Sequence, residues 1–430
     1  MKPFDLPQDF LLGSATAAAQ IEGGDKENNW YTWCATGKIK DKSNIFRAND
    51  HWNRYPEDIQ LLKSLNNKIY RMSIEWSRIE PIKGQFNVKA INHYRDELLM
   101  LISNNIKPLV TLHHFTHPLW LCVEGEFEEK KVVEYFERYV RYVVENIGDL
   151  VSDYITINEP NVYVSNGYIY GSWPPGKKNL RLAIKVYFNL SLCHIAAYKA
   201  IHETRKNKGF DITFGRTNVG FADHLRVFTP FNKLNPLDWI AKKIASYIFE
   251  EAIAKLMAKG HLNFPLSLFA PNKKGHYYEF IGINYYSRSA VHFIGFKDDV
   301  VPGSLKNDLG WEIYPKGISY LCKRYYKKYK APIWITENGV CDNNDKFRSR
   351  FIYDHLAEIA MLCKQGIPVE RYYHWSLLDN FEWLEGESAR FGLVHVDYET
   401  QKRTIKKSGY FYAEICKNNG VTKEMIEEYL

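Results

Sequence analysis

Short, nearly continuous apolar runs recur along this chain. Each is separated from the next by a polar loop and a longer stretch in which apolar residues return every three or four positions. Eight runs read as strands: 10–17, 68–76, 107–115, 153–159, 211–219, 280–287, 332–339 and 371–379. Their apolar residues are consecutive rather than alternate, which predicts strands covered on both faces, as in a parallel sheet under helices. Between them, 57–65, 128–147 and 180–201 carry helical spacing. Eight strand–helix units predict a closed (β/α)8 TIM barrel with elaborated βα loops, in one domain over residues 1–430. A doubly wound open sheet is the competing arrangement, but no Gly-x-Gly-x-x-Gly turn follows the first run.

Two of the runs end alike. "YITINEP" (154–160) carries Asn158 and Glu159 up to a proline, and "WITENGV" (334–340) carries Glu337 up to Asn338 and Gly339. Catalytic groups of such barrels gather at the C-terminal ends of the strands, so the two carboxylates are expected to face one cleft from opposite walls. A lone Glu at a strand end is as readily a salt-bridge partner at the rim. Here other polar residues fall at the same level: Gln20 and Glu22 end the first run, Arg71 and Glu75 lie on the second, and His113 and His114 lie on the third. Asn284 and Tyr286 lie on the sixth, Trp375 on the eighth, and Glu382–Trp383 in the loop after it. Polar groups crowded at a barrel mouth are costly to bury unless they bind something. Two facing Glu residues suit glycosidic bond hydrolysis, one donating a proton to the leaving oxygen and the other attacking the anomeric carbon or activating water.

Composition narrows the field. The net charge is +7, yet the basic runs at 322–330 and 401–408 alternate with Tyr, Thr and Ile and read as solvated helix faces, so no nucleic-acid partner is expected. The seven cysteines are scattered with no Cys-x-x-Cys pair, which points to reduced thiols and a cytoplasmic location. "FLLGSATAAA" (10–19) imitates a signal peptide, but Asp5 and Asp9 precede it and its apolar stretch is short; it reads as a strand. No run reaches the roughly 18 apolar residues of a membrane span, so no membrane partner is expected. "HHFTHP" (113–118) holds three histidines at a spacing that matches no standard metal box, and no metal or cofactor is expected. "GSWPPGKKN" (171–179) lacks the Gly-Lys-Ser/Thr of a phosphate loop. Aromatic residues make up 15% of the chain, enough to fill a large core or to line a sugar cleft.

Several motifs in fixed order resemble glycoside hydrolase family one, the β-glucosidase-like retaining enzymes. They are "FLLGSATAAAQIEG" (10–23), "YRMSIEWSRIEP" (70–81), "TLHHF" (111–115), "TINEPN" (156–161), "GINYYS" (282–287), "ITENG" (335–339), "HWSLLDNFEW" (374–383) and "RFGLVHVDYETQKRTIKKS" (390–408). The resemblance covers essentially the whole chain. It implies Glu159 as acid/base and Glu337 as nucleophile, with Arg71 and Tyr286 holding Glu337 ionised and aligned. Asn158 is implied at the sugar 2-hydroxyl, and Gln20, His114, Glu382 and Trp383 at the 3-, 4- and 6-hydroxyls. Trp375 is the implied stacking floor, and Asn284 lies toward the leaving group.

The expected activity is exo-acting hydrolysis of terminal β-D-glucosyl residues with retention, extending to galactosyl and fucosyl, on small β-glycosides or oligosaccharides. A subgroup acting on 6-phosphorylated glycosides carries Ser-Lys-Tyr where this chain has Glu382-Trp383, and a thioglucosidase branch has Gln where Glu159 stands. The other alternative is a catalytically silent sugar-binding protein, which would be expected to lack one carboxylate. After "TLHH" the family often continues Trp-Asp-Leu-Pro; this chain has Phe115-Thr116-His117-Pro118. Preferred sugar, natural leaving group and oligomeric state stay open at this level.

Overall fold

The computed structural model describes residues 1–430. Eight strands form the frame: β1 (Leu11–Ala15), β2 (Ile69–Ser73), β3 (Lys107–Thr111), β4 (Asp153–Asn158), β5 (Asn218–Pro230), β6 (Ile281–Val291), β7 (Ile333–Asn338) and β8 (Val369–Trp375). Each pairs in parallel with the next, β8 pairs with β1, and the β5–β6 pairing closes the ring. The expected (β/α)8 barrel is the observed fold.

Continuous burial along the strands still conceals a period of two. Ile69, Leu109, Ile155, Ala222, Trp334 and Tyr373 fill the barrel interior in one cluster, with Phe280 stacked on Trp334 at 3.6 Å. Their strand neighbours Tyr70, Val110, Tyr154, Phe221, Ile335 and Tyr372 belong to the larger core beneath the helices. Alternate side chains thus serve two cores, and both cores are apolar, which is why the sequence shows no polar beat.

The helix Leu180–Asn207 is long and apolar enough to cross a membrane by composition, its richest window having mean hydropathy 1.2. It also buries Asn189, His194 and Arg205, and half of that window lies inside the protein. It is built as a core helix: Val186, Leu190, Cys193, Ala197 and Ile201 join the main cluster.

One strand differs from the expectation. Residues 211–219 were expected as the fifth strand; instead Phe210–Thr213 form a helical turn, Gly215 sits at φ +92°, and β5 begins at Asn218. The apolar residues of 211–214 lie on the outside of that turn, with Ile212 90% exposed, whereas Val219 and Phe221 are fully buried. The sequence hides β5 because Asp223, His224 and Arg226 interrupt its apolar run just where it reaches the barrel mouth. There β5 and β6 run on together as far as Pro230 and Val291, raising a wall beside the cleft.

Candidate active site

The strand ends are irregular where the polar residues sit. Register shifts fall between Ile155 and Asn158 on β4, between Ile283 and Asn284 on β6, and between Tyr372 and His374 on β8. Such shifts re-aim side chains into the mouth. Glu159 follows β4 in a left-handed conformation, φ +42°, with Pro160 opening the helix behind it. That conformation is uncommon for a residue with a Cβ and is held by its backbone N–H donating to Ala222 O at 2.8 Å. Past Glu337, Gly339 lies so close to the Trp375 carbonyl that a Cβ would stand 1.8 Å from its oxygen. The glycine of "ITENG" is therefore a packing requirement of β7 against β8.

Both carboxylates line one cavity of about 260 Å³, together with Asn158, His114, Tyr286, Trp375, Glu382 and Trp383. Glu337 has both oxygens occupied: Arg71 Nη1 donates to Oε1 at 2.5 Å and Tyr286 Oη donates to Oε2 at 2.6 Å. Arg71 is fully buried, and its remaining donors reach Asn158 Oδ1, Thr111 Oγ1 and Thr336 O. Glu159 is held on one oxygen only: Asn284 Nδ2 at 2.8 Å and His224 Nδ1 at 3.1 Å both donate to Oε1. Asn284 also donates to Asn158 Oδ1 at 3.0 Å, so amides and a guanidinium link the two carboxylates across the cleft.

Behind His224 stands Arg226, whose Nε donates to His224 Nε2 at 3.1 Å. That bond leaves Nε2 as an acceptor without a proton, so the imidazole is neutral and its Nδ1–H faces Glu159. The electrostatics follow from this tautomer. Burial pushes the Glu337 carboxyl up to about 7, the charge of Glu159 adding to it while Arg71 and Tyr286 pull down. Burial is also the largest influence on Glu159 and pushes it up; the charge and hydrogen bond of His224, the Asn284 hydrogen bond and the Arg71 charge act against it and take that carboxyl below its ordinary range. With His224 neutral its charge exerts no pull. The downward pull on Glu159 is then weaker, and burial meets less opposition. The hydrogen bonding is unequal as well: Oε2 of Glu159 has no donor, whereas each oxygen of Glu337 has one.

The closed end of the cleft is polar and unfinished. His114 Nε2 accepts from Asn158 Nδ2 at 3.0 Å, which puts its proton on Nδ1, and buried Nδ1 has no partner. Gln20 donates to Asn380 Oδ1 and Phe381 O, while its own buried Oε1 has none. Glu382 accepts from Trp375 Nε1 at 2.8 Å, and burial pushes its carboxyl up to about 8. A donor and an acceptor left without partners in a buried pocket are the complement of hydroxyl groups. The Trp383 ring lies against Trp30, Phe115 and Trp173, the first at 4.7 Å between centroids. Arg390 is engaged elsewhere, by Val396 O at 2.9 Å and Asp379 at 3.4 Å, so no cation stands beside Glu382.

All eleven residues singled out from the sequence converge on this end of the barrel, though several are not on strands. Gln20 lies in the helix Ala18–Ile21, and His113 and His114 lie beyond the last residue of β3. Glu75 stands outside β2 and takes hydrogen bonds from Ser77 and Thr116. The residues missed are His224 and Arg226, lost with the misplaced fifth strand, and Trp311 and Phe391, which line the outer cavity from loops. Alternation of Gly220, Ala222 and His224 along the true β5 was the available signal.

A model of glycosyl hydrolase family 1 matches residues 3–421. Beta-glucosidase A of Thermotoga maritima is 34% identical over 448 aligned positions, covering 96% of this chain and 98% of that protein. The solved beta-glycosidase from Pyrococcus horikoshii superposes with a TM-score of 0.90 at 35% identity, covering 99% of this chain and 98% of its own. The beta-glucosidase from Thermotoga maritima, solved with glucoimidazole and with galacto-hydroximolactam, superposes with a TM-score of 0.89 at 32% identity, over 97% of this chain and 100% of its own.

Proposed function

The chain belongs to glycosyl hydrolase family 1 and is a hydrolase of O-glycosyl bonds, and we propose that it is a retaining exo-β-glycosidase acting on terminal β-D-glucosyl residues. The observation that carries the assignment of roles is the asymmetry of the two carboxylates: donors on both oxygens of Glu337, and on one oxygen of Glu159. Donors to both oxygens favour the anion that attacks the anomeric carbon, and the bare oxygen of Glu159 carries the proton for the leaving group.

In the first step Glu159 protonates the glycosidic oxygen while Glu337 forms the bond to C1. The charge on Glu337 is lost in the ester, so the Glu159 pKa falls, and in the second step its carboxylate takes a proton from the attacking water. Asn158, fixed by Arg71, His114 and Asn284, takes the 2-hydroxyl. His114 Nδ1–H, Gln20 Oε1 and Glu382 meet the 3-, 4- and 6-hydroxyls, with Trp383 beside them and Trp375 as the floor. An acceptor such as Glu382 serves either orientation of a 4-hydroxyl, which extends the substrates to galactosides and fucosides. That a relative is solved with both a gluco- and a galacto-configured ligand supports the same breadth.

A 6-phosphate would meet the Glu382 carboxyl with no Lys or Arg beside it, which argues against phosphorylated substrates. The substrates are small β-glycosides or oligosaccharides. Seven unpaired thiols support a reducing compartment, the cytoplasm.

A 2-deoxy-2-fluoro glucoside with a good leaving group tests the reading, because the fluorine slows breakdown of the covalent sugar more than the enzyme can tolerate in turnover. Stoichiometric label on the peptide holding Glu337, and retained configuration in the product by NMR, are expected. Label on another Glu, or inversion, overturns it.

A further inference from the structure

The three histidines of "HHFTHP" divide in the fold, His113 and His117 stacking at 6.3 Å between ring centroids and His114 standing apart from them. His114 faces the sugar pocket, while His117 is fully buried on the far side of the loop and neither ring nitrogen has a hydrogen-bond partner. What it faces comes from the next turns of chain. Cys122 lies on the helix Leu119–Val123, and Glu126 is brought back by a tight turn, Gly125 at φ +92° and Glu126 at φ +53°. One ligand atom from each of His117, Cys122 and Glu126 lies within 4.8 Å of the other two, with His117 Nε2 and Glu126 Oε1 3.7 Å apart. Cys122 forms no disulfide.

From this cluster we infer that the loop after β3 binds one zinc ion through His117, Cys122 and Glu126. Two ligand atoms on one tetrahedral zinc, each about 2.0–2.2 Å from the metal, stand about 3.4 Å apart, so the observed 3.7 Å closes with a small side-chain movement. The donor set selects the metal class. Calcium and magnesium require oxygen ligands and refuse a thiolate, whereas zinc accepts imidazole, thiolate and carboxylate together. Charge also balances: thiolate and carboxylate bring two negative charges against Zn²⁺, leaving the buried site neutral. The supporting contacts fit as well. Tyr168 Oη donates to Glu126 Oε2 at 3.1 Å, fixing the carboxylate, and the His117 backbone N–H is held by Asn29 Oδ1 at 3.1 Å. Cys122 is only partly buried, so water reaches the fourth position from its side.

The ion clips His117 to Glu126 across the loop that also carries His114, Phe115 and Thr116. It holds structure there; the carboxylate chemistry of the cleft proceeds without it.

Tag-free protein stripped with a chelator and reloaded with zinc tests the site. Wild type is expected to hold about one zinc per chain by elemental analysis and to lose about 5 °C of melting temperature on stripping, restored by zinc. Cobalt in its place should show thiolate-to-metal absorption. Cys122→Ala and Glu126→Gln should each abolish stoichiometric binding and the melting response, and Cys122→Ala the absorption band. A wild-type protein that takes up no stoichiometric zinc, or melts at the same temperature with and without it, overturns the inference. That measurement needs no variant, so a Cys122→Ala chain that fails to fold leaves the decision intact. Zinc retained undiminished in Cys122→Ala also overturns it.

Discussion

The ends of β4 and β7 carry the same residue type into the same cavity and treat it in opposite ways. At β7, Glu337 continues the strand, and Arg71 and Tyr286 close on its two oxygens at 2.5 and 2.6 Å. At β4, Glu159 leaves the strand in a left-handed turn and is tethered by one oxygen to two neutral donors, Asn284 and His224. A buried guanidinium and a phenol favour the anionic form of one Glu against the push of burial. Neutral donors on one side make the other a group that can gain and lose a proton. The difference between the proposed nucleophile and the proposed acid/base is thus made by partners and not by the carboxyls themselves.

If that contrast is right, removing the β7 carboxylate is the most damaging change. Glu337→Ala should lower kcat by at least about 10⁴-fold on every leaving group, since bond formation at C1 is lost whatever departs. A progress curve with activated and unactivated substrates measures it; survival of turnover on either class breaks the contrast.

Glu159→Ala should be smaller and selective. Proton donation is worth about 10²–10⁴-fold, and that loss should fall on poor leaving groups, with activated phenols spared in the first step. Azide, which needs no base, should then restore turnover as glycosyl azide. Equal losses on all substrates, with no rescue, would make the β4 carboxylate merely structural.

Tyr286→Phe sharpens the β7 side. A hydrogen bond to a charged acceptor contributes about 1.5–3 kcal/mol, so kcat/KM should fall by roughly 10–100-fold. The direction with pH is also fixed. Tyr286 stabilises the Glu337 anion, so its loss raises that pKa and moves the acid limb of the kcat/KM profile to higher pH. An acid limb that stays in place, or moves down, removes Tyr286 from the account.

Much of this contrast is legible in the sequence, and the missing part has a physical cause. Seven strands overlap their expected ranges, five of them lying wholly inside, because long apolar runs survive on both faces of a parallel strand. The two Glu residues stand out because each ends such a run. What stays hidden is the set of partners that depends on β5. Its run is broken at the functional level by His224 on the inner face and Asp223 on the outer, and the apolar turn at 210–214 takes its place in the reading. The meeting of His117 with Cys122 and Glu126 is hidden for another reason: it depends on a turn with two positive φ angles, only one of them at a glycine. Sequence periodicity reports regular elements, and both omissions lie where backbone or patterning departs from regularity.

The gentlest change acts through β5 alone. Arg226 touches neither carboxylate; its Nε hydrogen bond keeps His224 Nε2 unprotonated, and its cation lies weakly paired, 3.4 Å from Asp298. Arg226→Met removes both restraints, so His224 can take up a proton and place a positive charge 3.1 Å from Glu159. A charge at that distance lowers a carboxyl by about 1–3 pH units when present throughout; with His224 charged for part of the range, about one unit is expected. The alkaline limb of kcat/KM reports loss of the Glu159 proton, so it should move down by that amount, while the rate near the optimum changes by less than about fivefold. Other acids around this corner do not mimic the effect: Asp223 is raised far above its ordinary range by burial, Glu250 is pushed up to about 7, and the substitution leaves both in place. His224→Gln supplies the control. Its amide still donates to Glu159 but cannot become charged, so the double variant with Arg226→Met should return the alkaline limb to the wild-type position. Additive shifts in the double variant, or an alkaline limb that never moves, would separate the β5 pair from the acid/base and leave Glu159 governed by Asn284 and burial alone.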